Sequence, residues 1–109
     1  MLTEVTDEDF DGTVLAGPRP VLVDFWADWC APCRALAPVL EDMAVEYADA
    51  VDIVKLDIVA NAAVTKRLGV QSIPLLVMFR DGKEVARASG SMSRTRLAVF
   101  IEDNVTEAG

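Results

Sequence analysis

The sequence predicts an α/β domain, and three observations support this fold class. Four runs of apolar or β-branched residues have the length of strands: residues 21–26, 51–58, 75–80 and 84–89. The first two runs flank a segment with helical spacing at residues 31–47, which is the pattern of a parallel βαβ unit. The last two are joined by Asp81-Gly82, a two-residue turn typical of an antiparallel hairpin. The chain has the length of one such domain, so we assign residues 1–109 to it.

Composition and charge argue against two classes of partner. Hydrophobic residues make up 52% of the chain, enough for a core. The longest apolar run, residues 73–79, is far shorter than the roughly 18–20 residues that span a membrane. The net charge is −8 and no basic run exceeds Lys66-Arg67, whereas nucleic-acid binding requires clustered Lys and Arg. We therefore expect neither a membrane nor a nucleic acid as partner.

The start of the chain and its use of cysteine indicate a compartment. Residues 1–8 are acidic and lack the basic start and apolar block of a signal peptide, so we expect a cytoplasmic protein. A structural disulfide is not expected in a reducing compartment. Cys30 and Cys33 would also close too small a ring to remove much entropy from the unfolded chain.

One short helix is predicted before the first long strand. Thr6 followed by Asp9 resembles a capping box in which Asp replaces Glu, and it predicts a helix over residues 7–16. The inward-facing residues of this helix would be Phe10, Val14 and Leu15. The near-continuous apolar run at 21–26 is then typical of a strand covered on both faces.

Three further helices are predicted. The helix over residues 31–47 has one apolar stripe: Leu36, Val39, Leu40, Met43 and Tyr47. Pro38 lies inside this helix and is expected to kink it. A short helix over residues 60–68 would be ended by Gly69, and a final helix would be capped by Ser93. The buried face of the final helix would consist of Leu97, Phe100, Ile101 and Val105.

The only two cysteines stand where the strand at 21–26 gives way to the helix at 31–47. Cys30 would occupy the helix start, where free backbone N–H groups and the helix dipole favour a thiolate over a thiol. Pro32 suits the first turn, because its missing N–H would have no partner there. Open α/β sheets place their sites at this end of parallel strands. Cys30 and Cys33 are therefore predicted to form a dithiol–disulfide redox pair.

Two alternatives for the cysteine pair stay open when only the residues are considered. The thiols could be buried and inert. They could instead bind zinc, but the chain has no histidine and no further cysteine, so four ligands would need a second copy. Of the neighbouring aromatic residues Phe25, Trp26 and Trp29, we expect two in the core and Trp29 on the exposed rim of the site.

Asp24 interrupts the apolar strand at 21–26, where a charge is costly unless it has a partner or a purpose. Burial is expected to raise the pKa of Asp24, and Lys55 on the neighbouring strand would oppose the shift only in part. Lys55 has a simpler interpretation as a side chain that reaches solvent. Gly90 could be a turn residue or could leave space for a substrate strand.

Residues 23–34 resemble the active-site segment of the thioredoxin family, in which Trp-Cys-Gly-Pro-Cys is followed by Lys or Arg. The resemblance covers essentially the whole chain, through Pro38, Lys55-Leu56-Asp57, Ser72-Ile73-Pro74, Asp81-Gly82 and Gly90. It implies a thioredoxin fold, which is a mixed five-stranded sheet flanked by four helices. It also implies reduction of protein disulfides with no cofactor beyond the redox-active Cys30–Cys33 disulfide. The implied partners of this monomer are an NADPH-dependent flavoprotein, thioredoxin reductase, and diverse disulfide-containing target proteins.

The resemblance also assigns roles to residues. Cys30 would be the attacking thiol and Cys33 the resolving thiol, with Asp24 beneath the pair and Lys55 beside Asp24. The Ile73–Pro74 bond would be cis and would face the disulfide. The residues implied in binding the target are Trp29, Ala31, Pro32, Ile73, Pro74 and Gly90.

The chain departs from the family pattern at four positions. Ala31 replaces Gly between the cysteines. Leu75 follows the implied cis-proline where Thr is commonest, which implies a more apolar target groove. Val59 and Ala62 stand where Asp and Pro are usual, which removes an expected cap from the helix predicted over residues 60–68.

Two rival functions stay open beside disulfide reduction. The chain could be a partner subunit with a thioredoxin fold whose thiols are dispensable. It could also be an oxidant or isomerase of an oxidising compartment. The lack of a signal peptide and the small residues between the cysteines disfavour this second rival.

Overall fold

The computed structural model describes residues 2–105 and contains a five-stranded mixed β-sheet. The strands are β1 Thr3–Glu4, β2 Val21–Trp26, β3 Asp52–Asp57, β4 Leu75–Arg80 and β5 Lys83–Ser89. The helices are α1 Ala31–Glu46, α2 Ala62–Arg67 and α3 Arg94–Asn104, together with one π-helical turn, Asp11–Leu15. The strand order is β1-β3-β2-β4-β5, with β1, β2 and β3 parallel and β4 antiparallel to β2 and β5. The predicted fold class is confirmed.

Two apolar cores cover the faces of the sheet, because alternate residues of β2 point to opposite sides. Val21, Val23 and Phe25 pack with residues of the π-helical turn and α2. Leu22 packs on the other face, with residues of α1 and α3. Asp24 lies two residues after Leu22, so its carboxyl group is directed to the α1 side of the sheet.

The segment predicted as a helix over residues 7–16 is mostly not α-helical. Thr6 N–H does donate to the Asp9 carboxylate at 2.7 Å, and Asp9 N–H donates to Thr6 Oγ1 at 3.4 Å. The chain then turns into the π-helical turn at Asp11–Leu15, which contains a glycine and a β-branched threonine, both weak α-helix formers. The three residues predicted to face inward do pack in the core, Leu15 only in part.

The three α-helices lie close to their predicted positions. α1 is continuous through Pro38, and the expected kink there stays a prediction. α3 is capped as predicted, since Ser93 Oγ accepts a hydrogen bond from Arg96 N–H at 3.2 Å. Leu97 and Ile101 are buried, and the other two residues predicted for this face are partly covered. In the described part of the chain, no helix is both long enough and apolar enough to cross a membrane.

The start of α2 is capped by a residue that is distant in sequence. Asn61 stands at the N-cap, but its side chain makes no capping hydrogen bond. The carboxylate of Asp7 accepts hydrogen bonds from Ala63 N–H at 3.1 Å and from Val64 N–H at 2.9 Å. Asp7 N–H in turn donates to Asn61 Oδ1 at 2.9 Å. The cap that the sequence departures remove is therefore supplied by the segment after β1.

Candidate active site

Cys30 and Cys33 lie at the start of α1, just beyond the carboxyl end of β2. Cys30 occupies the N-cap with extended backbone, and Cys33 lies in the first turn. A disulfide joins them, with 5.2 Å between their Cα atoms. Cys33 N–H donates a hydrogen bond of 3.2 Å to Cys30 Sγ. The same N–H would stabilise a negative charge on that sulfur in the reduced protein.

The disulfide is largely covered, while the residues around it are exposed. Cys30 is 5% exposed and Cys33 is 2% exposed. Ala31 and Pro32 are exposed, and Trp29 is 68% exposed, as expected for the rim of the site. The sulfur atoms are therefore bordered by three exposed residues.

Asp24 is buried in the middle of β2. The residue is 2% exposed, and its Oδ1 atom has no hydrogen-bond partner among the described residues. Burial raises the pKa of Asp24 from an ordinary value of 3.8 to about 7, and the charge of Lys55 opposes this shift in part. The expected direction is confirmed. A carboxyl group with a pKa near neutrality can both accept and release a proton at neutral pH.

Lys55 lies beside Asp24 and in contact with Trp26. Lys55 is the direct partner of Asp24 in the register between β2 and β3. Its Nζ atom lies 4.7 Å from the centroid of the Trp26 ring, which is a cation–π distance. Lys55 is half-buried, so it does not simply extend into solvent. Of the two aromatic residues expected in the core, Phe25 is fully buried and Trp26 only partly.

The loop before β4 is joined to the loop after β5. The Ile73–Pro74 bond is cis, as the resemblance implied. Gly90 N–H donates to Pro74 O at 3.0 Å, and Gly90 has a φ of +86°, a region that favours glycine. Ser91, the next residue, lines one groove with Pro32, so this loop lies beside the start of α1. Ile73 is half-buried and packs against the core.

Leu75 does not line the target groove, and this expectation was wrong. Its side chain is 4% exposed and packs in the same core as Phe25. Leu75 is the first residue of β4, and the alternation of the strand directs it into the sheet's apolar layer. Ala31, by contrast, is exposed, so its additional methyl group lies at the surface between the two cysteines.

One cavity of about 60 Å³ brings several predicted site residues together. Its lining includes Asp24, Trp26, Cys33 and Lys55. The sequence reasoning missed four further lining residues: Leu2, Arg34 and, four residues apart on α1, Ala37 and Glu41. For Ala37 and Glu41, the spacing of four residues from Cys33 and from each other was the available signal, because it places all three on one face of α1.

The redox-active group of this site is the disulfide itself. Within the described residues, no group of three or more cysteine or acidic side chains is placed to hold a metal ion. The zinc alternative would still need ligands from a second copy of the chain.

Comparison with known proteins identifies the family. The thioredoxin family model matches residues 1–103. Thioredoxin C-2 of Corynebacterium nephridii is 47% identical over 104 residues, which cover 95% of this chain and 96% of that protein. Thioredoxin 1 of Synechococcus elongatus is 46% identical over 101 residues, and the thioredoxin of Haemophilus influenzae is 42% identical over 101 residues. Each of these two matches covers 93% of this chain and 94% of the relative.

These matches agree with the fold and with the cysteine pair. Thioredoxins are disulfide oxidoreductases, and their redox-active pair is present here as Cys30 and Cys33. In residues 2–105, no feature favours the rival function of a partner subunit with dispensable thiols. The chain is therefore a dithiol–disulfide oxidoreductase that belongs to the thioredoxin family.

Proposed function

We propose that this oxidoreductase works in the reducing direction, with Cys30 as the attacking thiol and Cys33 as the resolving thiol. The single observation that carries these two roles is the hydrogen bond of 3.2 Å from Cys33 N–H to Cys30 Sγ at the start of α1. The helix terminus stabilises a thiolate at Cys30, because its N–H groups and dipole favour negative charge there. Cys33 has no equivalent position, since it lies inside the first turn.

The exchange proceeds in two balanced steps. The Cys30 thiolate attacks a target disulfide, forms a mixed disulfide and releases the first target sulfur as a thiolate. Cys33 then loses its proton and attacks Cys30 Sγ. The mixed disulfide breaks, the Cys30–Cys33 disulfide forms, and the second target sulfur leaves as a thiolate. The target disulfide gains two electrons, and the protein's dithiol is oxidised.

Asp24 accepts the proton that Cys33 loses in the second step. Both residues line the cavity described above, and burial raises the pKa of Asp24 to about 7, close to the pH at which proton acceptance is most efficient. Lys55 lies beside Asp24 in the strand register and moderates this pKa. We assign Lys55 a supporting electrostatic role.

Target proteins bind across the surface around the disulfide, which is exposed at Trp29, Ala31, Pro32 and Gly90, while Ile73 is half-buried and Pro74 is buried. The binding residues we assign are Trp29, Ala31, Pro32, Ile73, Pro74 and Gly90. Backbone groups near Ile73 would pair with an extended target segment, and main-chain contacts of this kind carry little sequence information. This mode of binding accounts for a broad range of target proteins.

The remaining assignments follow the family. The protein acts as a single-domain monomer in the cytoplasm and donates electrons to diverse disulfide-containing proteins. An NADPH-dependent thioredoxin reductase restores its dithiol. No further cofactor is required, because the disulfide itself carries the two electrons.

Insulin reduction with NADPH and a thioredoxin reductase tests this proposal. Wild type is expected to turn over, Cys30→Ser to be inactive, and Cys33→Ser to accumulate a mixed disulfide with insulin. Asp103→Asn in α3 serves as a control for Asp24→Asn, which is expected to slow turnover. Activity in Cys30→Ser would contradict the role of Cys30, and an inactive wild type would favour the partner-subunit function.

A further inference from the structure

We propose that the cavity beside Asp24 is the route by which protons pass between Asp24 and solvent, with Ala37 keeping the route open and Glu41 relaying protons at its outer end. This inference rests on the proposed role of Asp24 as the acceptor of the Cys33 proton. An acceptor that is used in every cycle must also release its proton. Asp24 is 2% exposed, so it needs a path to solvent.

The cavity suits water. Its volume of about 60 Å³ is several times the roughly 10–15 Å³ that one water molecule requires. Two of its lining residues carry buried polar atoms without a hydrogen-bond partner among the described residues, namely Asp24 Oδ1 and Trp26 Nε1. A water molecule there would accept a hydrogen bond from the indole N–H and donate one to the carboxylate. Water is therefore a chemically suitable hydrogen-bond partner for both unpaired atoms.

One wall of the cavity is formed by one face of α1. Cys33, Ala37 and Glu41 follow each other at intervals of four residues, so they lie one above the other along the helix. Cys33 is buried, while Ala37 and Glu41 are half-buried, so this face leads from the disulfide towards the surface. Ala37 is the smallest of the three side chains. A larger residue at this position would occupy the space between Asp24 and Glu41.

The charges around Asp24 select Glu41 as the relay. Lys55 faces Asp24 from β3, and Arg34 and Glu41 line the cavity from α1. The partner of Asp24 in β4 is Leu76, which carries no charge. Ammonium and guanidinium groups have no lone pair to accept a proton. Among the described charged residues that line this cavity, Glu41 is therefore the one besides Asp24 that can accept a proton.

The proton balance of the resolving step is then complete. When Cys33 attacks the mixed disulfide, its thiol proton passes to the carboxylate of Asp24. The cavity water takes that proton and transfers it to the carboxylate of Glu41, which releases it to bulk solvent. The electron pair moves separately, from Cys33 sulfur through the new disulfide to the departing target thiolate. Asp24 returns to its ionised form for the next cycle.

A two-step colour assay separates attack from resolution. The reduced protein is mixed in a stopped-flow instrument with 5,5′-dithiobis(2-nitrobenzoate), whose two coloured thiolates are released one by attack of Cys30 and one by resolution through Cys33. Ala37→Leu fills the cavity, and Ala44→Leu is its matched control. Ala44 is also half-buried on α1 but lines a different cavity, beside Ile53.

We expect Ala37→Leu to release the first thiolate at the wild-type rate and the second about tenfold more slowly. This loss is part of the roughly 100-fold rate enhancement that a positioned general base contributes. The difference in resolution rate between Ala37→Leu and wild type should be largest near neutral pH. It should shrink at high pH, because hydroxide there removes the Cys33 proton directly. Ala44→Leu should resolve like wild type. Equal resolution rates in the two leucine variants would overturn the inference.

Glu41→Gln tests the relay with little change in shape, and it decides the question if Ala37→Leu does not fold. Its resolution should be slower than that of Glu46→Gln, an exposed position on the same helix. Added imidazole should restore the rate, since a small buffer can take the proton at the outer end of the cavity. Equal rates in the two glutamine variants, or no rescue, would overturn the relay.

Asp24→Asn separates this inference from the proposed function. Slow resolution in Asp24→Asn together with normal resolution in Ala37→Leu and Glu41→Gln would overturn the route and leave Asp24 as the acceptor. Normal resolution in Asp24→Asn would overturn the role of Asp24 and, with it, the route.

Discussion

Replacement of Asp24 by Asn is expected to stabilise the oxidised protein at about pH 8 and to have little of this effect at about pH 4. Burial raises the pKa of Asp24 to about 7 in the folded protein, whereas the unfolded chain has the ordinary value of 3.8. Below pH 3.8 Asp24 is protonated in both the folded and the unfolded protein, so the carboxyl group has no pH-dependent cost. Between these two values the unfolded chain ionises and the folded protein does not. The free energy of unfolding therefore falls as the pH rises through this window, and the full cost is present above pH 7.

The size of the effect follows from the same two pKa values. The difference between 3.8 and about 7 is roughly three pKa units, and each unit corresponds to about 1.4 kcal/mol. The cost of ionised Asp24 near pH 8 is therefore about 4 kcal/mol. An asparagine carries no such cost at any pH. Since domains of this kind are stable by only about 5–15 kcal/mol, the difference should be easy to measure.

Urea unfolding of the oxidised proteins at about pH 4, 6 and 8 measures this prediction. The quantity of interest is the gain of Asp24→Asn over wild type, which should grow with pH by about 4 kcal/mol. Asp103→Asn, at an exposed position of α3, removes the same charge and controls for the net charge of the chain. If both variants followed the same pH dependence, Asp24 would not be desolvated, and its assignment as the proton acceptor would lose its physical basis.

Three further predictions concern the cysteines, the α2 cap and the rim of the site. Iodoacetamide should alkylate Cys30 of the reduced protein much faster than Cys33 at neutral pH, because the helix start stabilises its thiolate; mass spectrometry would show equal labelling if this were wrong. Asp7→Ala should lower the free energy of unfolding by about 1–2 kcal/mol, because two N–H groups of α2 lose their acceptor. Glu8→Ala should change the free energy of unfolding little. Equal urea midpoints for the two variants would contradict the cap. Trp29→Ala should raise KM for insulin and leave the urea midpoint unchanged, since the ring is exposed; an unaltered KM would remove Trp29 from the target surface.

The parts of the fold that the sequence predicted depend on signals within a few residues of each other. Local patterns predicted three of these features: the strand at Val21–Trp26, the helix α1 and the turn at Asp81-Gly82. The hydrogen bond that Ser93 accepts at the start of α3 was also predicted from a local pattern. The burial of Asp24 was also predictable, because its neighbours in the strand are all apolar.

The features that the sequence did not predict depend on contacts between distant segments. β1 is a strand only because Thr3–Glu4 pairs with β3, and two residues carry too little pattern to be recognised. The cap of α2 comes from Asp7, which no local motif connects with that helix. In the candidate site, the contact between Lys55 and the Trp26 ring requires knowledge of the register between β2 and β3. The inward direction of Leu75 likewise depends on where β4 begins.

The two outer strands of the sheet limit how this protein can aggregate. β1 offers only two residues to a neighbouring molecule. β5 is longer, but its pairing with β4 is irregular near Met78 and Phe79, and its exposed side chains include Lys83, Glu84 and Arg87. Short edge strands, bulges and charged side chains each oppose the addition of a foreign strand. The binding of extended target segments that we propose beside the disulfide is thus separate from the sheet edges, which are poor templates for fibril growth.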